Sequence, residues 1–161
     1  MDINADTIVY SPSKGALTLE EAIDIIKDYI NAEPQEHYDI SIGTDSMTRV
    51  STTFCLAIVI HRVHKGGIFF YKRGIHTRIN NLRQKLEQET QISIEVADYF
   101  TNEIPLGNLD VTLQIHMDIG TGGPTRDLIQ ELEGWISALG YEYEIKPDSY
   151  AASSIADRYS K

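Results

Sequence analysis

The sequence predicts an α/β fold: a five-stranded mixed sheet with helices on both faces, preceded by an N-terminal helix. Two observations predict strands. Apolar and polar residues alternate over Tyr38–Asp45, and an almost continuous apolar run covers Phe54–Val63. A third is the helical periodicity of the segments that separate the later strands. After the first helix the element order is β-β-β-α-β-α-β-α, so the first and fourth strands should be parallel neighbours joined by a crossover.

The first half of the chain contains one helix and the three-stranded meander. Residues 1–17 look irregular, and Thr18 with Glu21 forms a capping box that opens a helix ending before Pro34. After the first strand, residues 44–51 are polar and typical of a turn. The Phe54–Val63 strand, a turn at residues 65–67 and a strand over Ile68–Arg73 predict a hairpin, and residues 74–77 lead out of it.

The second half alternates helices and strands. The predicted elements are a long helix starting after Asn80 or Asn81 and running to about Glu103, a strand over Asp110–Asp118, a glycine loop over Gly120–Gly123, a helix from Pro124 to about Gly140, a strand over Tyr141–Lys146 and a terminal helix over Ser149–Ser160.

Length and composition indicate one soluble domain. The 161 residues fit a single unit, with residues 1–36 as an N-terminal extension and residues 37–161 as the core. The single cysteine, Cys55, lies in an apolar run and excludes an internal disulfide. We expect a cytoplasmic protein with no membrane partner, because no segment has the pattern of a signal peptide or a membrane span.

The net charge of −10 argues against bulk attraction to nucleic acid, but residues 61–85 hold seven of the 14 lysines and arginines and no acid. This basic stretch is either a solvated hairpin edge or a phosphate-binding patch. The candidate nucleic-acid contacts within it are Lys72, Arg73, Arg78 and Arg83.

Two aspartates are the first candidates for a metal site. Asp45 and Asp118 lie at the carboxyl ends of the two strands predicted to be parallel neighbours, which are about 4.8 Å apart. Open α/β sheets place their sites at this edge. Two carboxylates that close favour a cation between them, and Mg²⁺ accepts a few carboxylate oxygens while keeping positions for water and substrate phosphate.

Two further acids are candidates to complete the cluster. Glu89 falls on the apolar stripe of the long helix, where an unpaired charge is costly, although it also fits the margin of the stripe. Glu95 and Glu87 leave the stripe and remain alternatives, since the helix phase is not fixed. Asp157 lies on a surface of mostly small residues in the terminal helix, and its competitor Asp148 suits an N-cap.

His116 and the glycine loop carry weaker signals. His116 fits a proton shuttle, a metal ligand or, more commonly, a structural hydrogen-bonding residue. The loop from Asp118 to Gly123 suits phosphate at a helix N-terminus, but it matches no established nucleotide-binding pattern.

Three motifs resemble the YkuK-like family of bacterial ribonuclease H-like proteins: IGTDS at Ile42–Ser46, IHMDIG at Ile115–Gly120 and KPDSYAASSIAD at Lys146–Asp157. The resemblance covers nearly the whole chain and implies the ribonuclease H fold. It matches Asp45 to the first-strand aspartate, Asp118 to the fourth-strand aspartate and Asp157 to the acid of the final helix. The family also has a glutamate on the long helix, but that helix is predicted to be longer here, so counting residues does not identify the matching position. Glu89 is preferred over Glu95.

The resemblance implies a metal-dependent nuclease that hydrolyses phosphodiester bonds of RNA or DNA. Two Mg²⁺ or Mn²⁺ ions, roughly 4 Å apart, would be held by Asp45, Glu89, Asp118 and Asp157. The alternatives are a catalytically inactive module of the same fold that binds nucleic acid or protein, and an actin-like phosphotransferase suggested by the glycine loop. The chain is short for the two-domain cleft that the latter needs.

Overall fold

A computed structural model describes residues 3–77, 79, 81–117, 119 and 126–145. Its elements in chain order are β1 (Ile8–Ser11), β2 (Gly15–Thr18), α1 (Leu19–Ala32), β3 (Tyr38–Thr48), β4 (Thr52–Arg62), β5 (Gly67–Thr77), α2 (Leu82–Glu103), a 3₁₀ turn (Leu106–Asn108), β6 (Val111–His116), α3 (Arg126–Ala138) and β7 (Glu142–Glu144).

The strands form one mixed sheet in the order β2-β1-β5-β4-β3-β6-β7. The meander β3-β4-β5 is antiparallel, while β3 pairs with β6 and β6 with β7 in parallel. The predicted parallel pairing of the first and fourth core strands is therefore confirmed. It places the carboxyl ends of β3 and β6 beside each other at the sheet edge where sites of open α/β sheets form.

The described residues contain seven strands, so the expected five-stranded sheet is too small. The difference begins in residues 1–17, which were predicted to be irregular and instead contain the β1-β2 hairpin. β1 joins the sheet through Tyr10, which pairs with Tyr71 of β5, and its Val9 is fully buried. A four-residue strand is too short to show in periodicity, and a distant partner strand stabilises it here.

Two of the core strands are longer than the sequence indicated. β3 continues through Thr48, with Thr48 opposite Thr52 of β4, so most of the polar segment 44–51 is strand. Residues 74–77 belong to β5, after a bulge at which the register with β4 shifts and Gly74 adopts a φ of 96°. Glycine tolerates this conformation without steric cost. The polar residues that extend β3 are paired across the sheet with β4.

Helix α1 starts as predicted. The Thr18 side chain accepts a hydrogen bond from the Glu21 backbone and the Glu21 carboxylate accepts one from the Thr18 backbone, which confirms the capping box. Asn81 caps α2 through the Gln84 N–H, also as predicted. The helical periodicity predicts Leu82 on the inner stripe of α2, but Leu82 is the first residue of the helix and is 49% exposed.

All three described helices pack on one face of the sheet, which we call the helix face. Its core includes Tyr38, Ile40 and Ile42 of β3, together with apolar side chains from α1, α2 and α3. The opposite face carries the other residues of β3, including Asp39 and Asp45. The helix that was expected to make the second helical layer, Ser149–Ser160, lies outside the described residues. Within the described residues, no helix is long and apolar enough to cross a membrane.

Candidate active site at the carboxyl end of β3

Asp45 lies in the part of β3 that extends beyond its parallel neighbour. Gly43 pairs with His116, the last residue of β6, so Asp45 follows two residues after the last paired position. The side chain is partly exposed, and its Oδ1 accepts a 2.8 Å hydrogen bond from the backbone N–H of Ser46. The carboxylate is therefore anchored at a strand end but remains accessible.

Glu89 of α2 reaches the same point from the helix face. The Ser46 hydroxyl donates a 2.7 Å hydrogen bond to Glu89 Oε1, and Glu89 is partly exposed. Ser46 thus contacts both acids, with its N–H on Asp45 and its hydroxyl on Glu89. Two carboxylates that are 44 residues apart in sequence lie around one serine.

A second contact fixes the helix against the strand one turn further along. Thr44 Oγ1 and Ser93 Oγ are 2.9 Å apart in a buried hydrogen bond, four residues after Glu89 on α2. Residues i and i+4 of a helix share a face, so this contact holds Glu89 toward β3. Glu89, Thr44 and Ser93 line a small crevice closed by apolar side chains from α2, β6 and α3.

The two alternative helix glutamates have other partners. Glu87 lies 3.4 Å from Arg83 in a salt bridge along the helix. Glu95 accepts a 3.0 Å hydrogen bond from Gln91, while its Oε2 is buried without a hydrogen-bond partner. Of the three glutamates considered, Glu89 is the one that the structure places beside Ser46.

The other half of the expected cluster cannot be placed. Asp118, Asp157, the competitor Asp148 and the glycine loop Gly120–Gly123 lie outside the described residues. Within the described part of the chain, no group of three or more histidine, cysteine or acidic side chains is arranged to hold a metal ion. The described site is therefore a pair of carboxylates, which supplies two of the four predicted ligands.

His116 lies on the opposite face of the sheet, beside Gly43. It is 4% exposed, and its Nε2 lies 3.3 Å from Gln114 Oε1. Burial lowers the pKa of its imidazole, and the charge of Asp39 offsets part of this effect. Folding therefore favours the neutral ring.

Cys55 lies beside Asp45 on the face of the sheet opposite to the helices, and Arg73 lies one strand further on the same face. Asp45 pairs with Cys55, and Cys55 with Arg73, across three adjacent strands. Burial, followed by the charge of Asp45, raises the pKa of the Cys55 thiol to about 12, and Arg73 lowers it. The thiol is fully buried and protonated at neutral pH, so it is not a nucleophile.

The described residues of the basic stretch do not form one surface. Lys72 donates to the Ile8 carbonyl at 3.2 Å, and Arg83 lies 2.7 Å from Glu131 as well as 3.4 Å from Glu87. Arg62 and Lys65 lie near the hairpin turn, roughly 20 Å along β5 from Arg73. Arg78 lies outside the described residues. Arg73, which is exposed, is the described candidate nearest Asp45.

Comparison with known proteins identifies the family. The family model described as ribonuclease H-like matches residues 21–161. The chain belongs to the ribonuclease H-like family. Over 171 aligned residues it is also 36% identical to the uncharacterized protein YkuK of Bacillus subtilis (strain 168), covering 96% of this chain and 97% of that one. The expected YkuK-like membership is confirmed, and no solved structure matches the chain.

The hydroxyl residues of this ribonuclease H-like site were not singled out from the sequence. Ser46 entered only as the last residue of the IGTDS motif, and Ser93 was not among the candidate site residues. The sequence did contain a signal for this contact. Glu89 and Ser93 are one helical turn apart and share a helix face, and Thr44 and Ser46 share a strand face. These two spacings are compatible with α2 packing on β3 through the four residues.

Proposed function

We propose that this protein is a metal-dependent nuclease that hydrolyses phosphodiester bonds of RNA or DNA. Membership of the ribonuclease H-like family supports this assignment. The observation that carries it is the hydrogen bonding of Ser46 to both Asp45 and Glu89 at the carboxyl end of β3. The same arrangement makes these two acids the first candidates for metal binding.

The two described carboxylates fit hard divalent cations. Each is partly exposed, each offers oxygen donors, and one oxygen of each is held by Ser46. Mg²⁺ or Mn²⁺ would be held by Asp45 and Glu89, with Asp118 and Asp157 as the proposed remaining ligands. When bound, such ions supply an activated water and charge stabilisation on the phosphate.

The chain's own residues orient these ligands. Ser46 uses a fixed backbone N–H for Asp45 and a side-chain hydroxyl for Glu89, so one oxygen of each carboxylate is held in place. Groups that orient metal ligands in this way are typically worth 10–100-fold in metal affinity or activity. The backbone of Arg73 lies two strand spacings, about 10 Å, from the backbone of Asp45. Arg73 would contact the phosphate backbone of the substrate.

The test is a nuclease panel of single-stranded RNA, single-stranded DNA, duplex and hybrid, run with Mn²⁺ or Mg²⁺ beside the Asp45→Asn variant. The proposal expects metal-dependent cleavage of at least one substrate by the wild type and none by the variant. Full cleavage by Asp45→Asn in a clean preparation would overturn it.

A catalytically inactive binding module of the same fold is the competing function. Metal titration followed by thermal unfolding separates the two. A nuclease with this cluster gains stability from millimolar Mn²⁺ by mass action, whereas a module without a metal site gains none.

A further inference from the structure

The β1-β2 hairpin adds an exposed aromatic surface to the face of the sheet that carries Asp45. Tyr10 of β1 pairs with Tyr71 of β5, and Tyr71 pairs with Ala57 of β4. Residues paired across strands share a face, so Tyr10 and Tyr71 lie on the same side as Cys55 and Asp45. Phe69 and Arg73, two residues before and after Tyr71, join them by strand alternation.

We call Tyr10, Phe69, Tyr71 and Arg73 the aromatic platform. The Tyr10 and Tyr71 rings have centroids 5.8 Å apart and an interplanar angle of 30°, and Phe69 and Tyr71 are 6.5 Å apart at 34°. The three rings therefore form a continuous tilted row across two strands. Arg73 places a guanidinium at the end of this row that is nearer to Asp45.

The platform is open to solvent where the hairpin begins. Tyr10 is 41% exposed and Ile8, on the same face of β1, is 38% exposed. The other face of β1 is closed, because Val9 is fully buried in the core beside α1. The hairpin thus presents Ile8 and Tyr10 to water on the side of the sheet that carries Tyr71.

The platform combines residues from inside and outside the family match. Tyr10 lies before residue 21, where the ribonuclease H-like match begins, whereas Phe69, Tyr71 and Arg73 lie within the match.

We infer that the aromatic platform binds unpaired nucleotides of a single-stranded nucleic acid, with bases stacked on Tyr10 and Tyr71 and a phosphate at Arg73. The inference rests on the proposed function for its choice of ligand. A row of aromatic rings on a sheet can stack on a base only where that base is not already stacked in a duplex, so a duplex is a poor ligand.

Stacking is the main source of affinity in this proposal. The net charge is −10, and the described basic residues of the 61–85 stretch are dispersed, so bulk electrostatic attraction to phosphate is weak. Aromatic stacking tolerates any base, because every base has a π-face. Arg73 beside the rings supplies the local phosphate contact.

Fluorescence anisotropy tests the platform in the full-length chain. The probe is a labelled single strand of about 12 nucleotides, alone or annealed to its complement, in EDTA to prevent cleavage and at roughly 50 mM salt. The variants are Tyr10→Phe, Tyr10→Leu, Tyr71→Leu and Arg73→Gln. Leu139→Ala is the matched control, since Leu139 is 49% exposed at the end of α3, remote from the platform.

Wild type should prefer the single strand. Tyr10→Leu and Tyr71→Leu should each weaken binding by about tenfold, while Tyr10→Phe, which keeps the ring, should stay within about twofold of wild type. Arg73→Gln should reduce the slope of log affinity against log salt by about 0.7. A thermal unfolding curve for each variant establishes that it is folded, and the Tyr10→Phe and Tyr10→Leu pair compares two apolar residues at one exposed position.

Equal single-strand affinity of Tyr10→Leu and wild type would overturn the inference, as would no binding by wild type or equal affinity for duplex. The two proposals fail separately. Single-strand binding that is sensitive to Tyr10 without metal-dependent cleavage would leave the platform standing and remove the nuclease. Cleavage that continues with unchanged binding by the leucine variants would do the reverse.

Discussion

The two ends of β3 use the same residue types in different ways. At the amino end, His37 lies between two aspartates, with Nδ1 2.9 Å from Asp110 and Nε2 2.9 Å from Asp39. At the carboxyl end, Asp45 and Glu89 are held by the N–H and hydroxyl of a neutral serine. The carboxylates at the amino end face a histidine, whereas those at the carboxyl end each accept a hydrogen bond from Ser46.

A second structural cluster reinforces the amino end. The Arg62 guanidinium stacks on the Tyr29 ring at 4.0 Å and donates to the Tyr29 carbonyl at 2.8 Å and to the Tyr38 hydroxyl at 3.0 Å. The Tyr38 hydroxyl in turn donates to the Glu33 carbonyl at 2.8 Å. These contacts tie the end of α1 to β3 and β4. The amino end of β3 therefore has a structural role, whereas the proposed chemistry lies at the carboxyl end.

The strongest way to break this comparison is to neutralise one aspartate at each end of the same strand. We expect Asp45→Asn to reduce metal-dependent cleavage by more than the 10–100-fold typical of residues that merely support a metal ligand. Asp39→Asn, the matched control, should leave the cleavage rate unchanged. Initial rates with Mn²⁺ measure both, and equal losses in the two variants would contradict the assignment.

The stability that the protein gains on binding metal should depend on the acids at the carboxyl end of β3. With Mn²⁺ at about 100 times its Kd, wild type should gain about 2.7 kcal/mol, which corresponds to roughly 5–10 °C in Tm. Asp45→Asn and Glu89→Gln should lose most of this gain. Glu87→Gln and Glu95→Gln, isosteric changes on the same helix, should retain it, and retention by Glu89→Gln instead would point to another glutamate.

Removing the serine that joins the carboxylates should have an intermediate effect. Ser46→Ala deletes the hydroxyl that holds Glu89 but keeps the N–H that holds Asp45, so we expect about a tenfold loss of activity or metal affinity. Ser41→Ala, in the same strand toward its amino end, is the control. An unchanged apparent Mn²⁺ affinity and rate in Ser46→Ala would show that Glu89 needs no such support.

The smallest expected effect is at the amino end and depends on pH. The Asp110 hydrogen bond, with Asp39 in support, raises the pKa of His37 above its usual value near 6.5. The protonated ring is thus favoured by folding, so this stabilisation is complete below about pH 6.5 and is lost as pH rises through the raised pKa. His37 is 40% exposed, so solvent screening limits the change to roughly 1–2 °C in Tm.

Thermal unfolding of wild type and His37→Asn across pH 6 to 8.5 measures this difference. The gap between the two proteins should narrow as pH rises. His64→Asn, at an exposed turn residue with φ of 66°, should follow the wild-type curve because asparagine tolerates this conformation. A gap that is independent of pH would show that His37 contributes packing alone.

The elements that the sequence predicted well are those whose signals lie in neighbouring residues. The capping box at Thr18 and Glu21 and the cap at Asn81 need only neighbouring residues, and the parallel pairing of β3 with β6 follows from a single crossover. The β1-β2 hairpin was missed because β1 joins the sheet through Tyr10, whose partner Tyr71 lies in β5, far along the chain. Pairing between distant segments leaves little trace in local periodicity.

The basic stretch shows the same limit on the function side. Arg62 and Arg73 are 11 residues apart in sequence, yet the hairpin sends one to the turn and the other toward Asp45, roughly 20 Å away along β5. Counting charges along the sequence therefore showed that the stretch is basic, but it did not show which of these residues lie close together on the folded protein. Partners such as Glu131 for Arg83 and Glu36 for Lys65 come from other elements.

The sequence by itself determined that an aspartate ends an alternating strand, that a long capped helix follows the meander, and that the strand lies parallel to β6. Periodicity, capping and connection handedness are properties of short segments, so one chain is enough to read them. Only the tertiary structure decided which of three glutamates reaches Ser46 and that a distant tyrosine joins the face of Asp45. Packing fixes the phase of a helix and the neighbour of an edge strand, and both depend on contacts between remote residues.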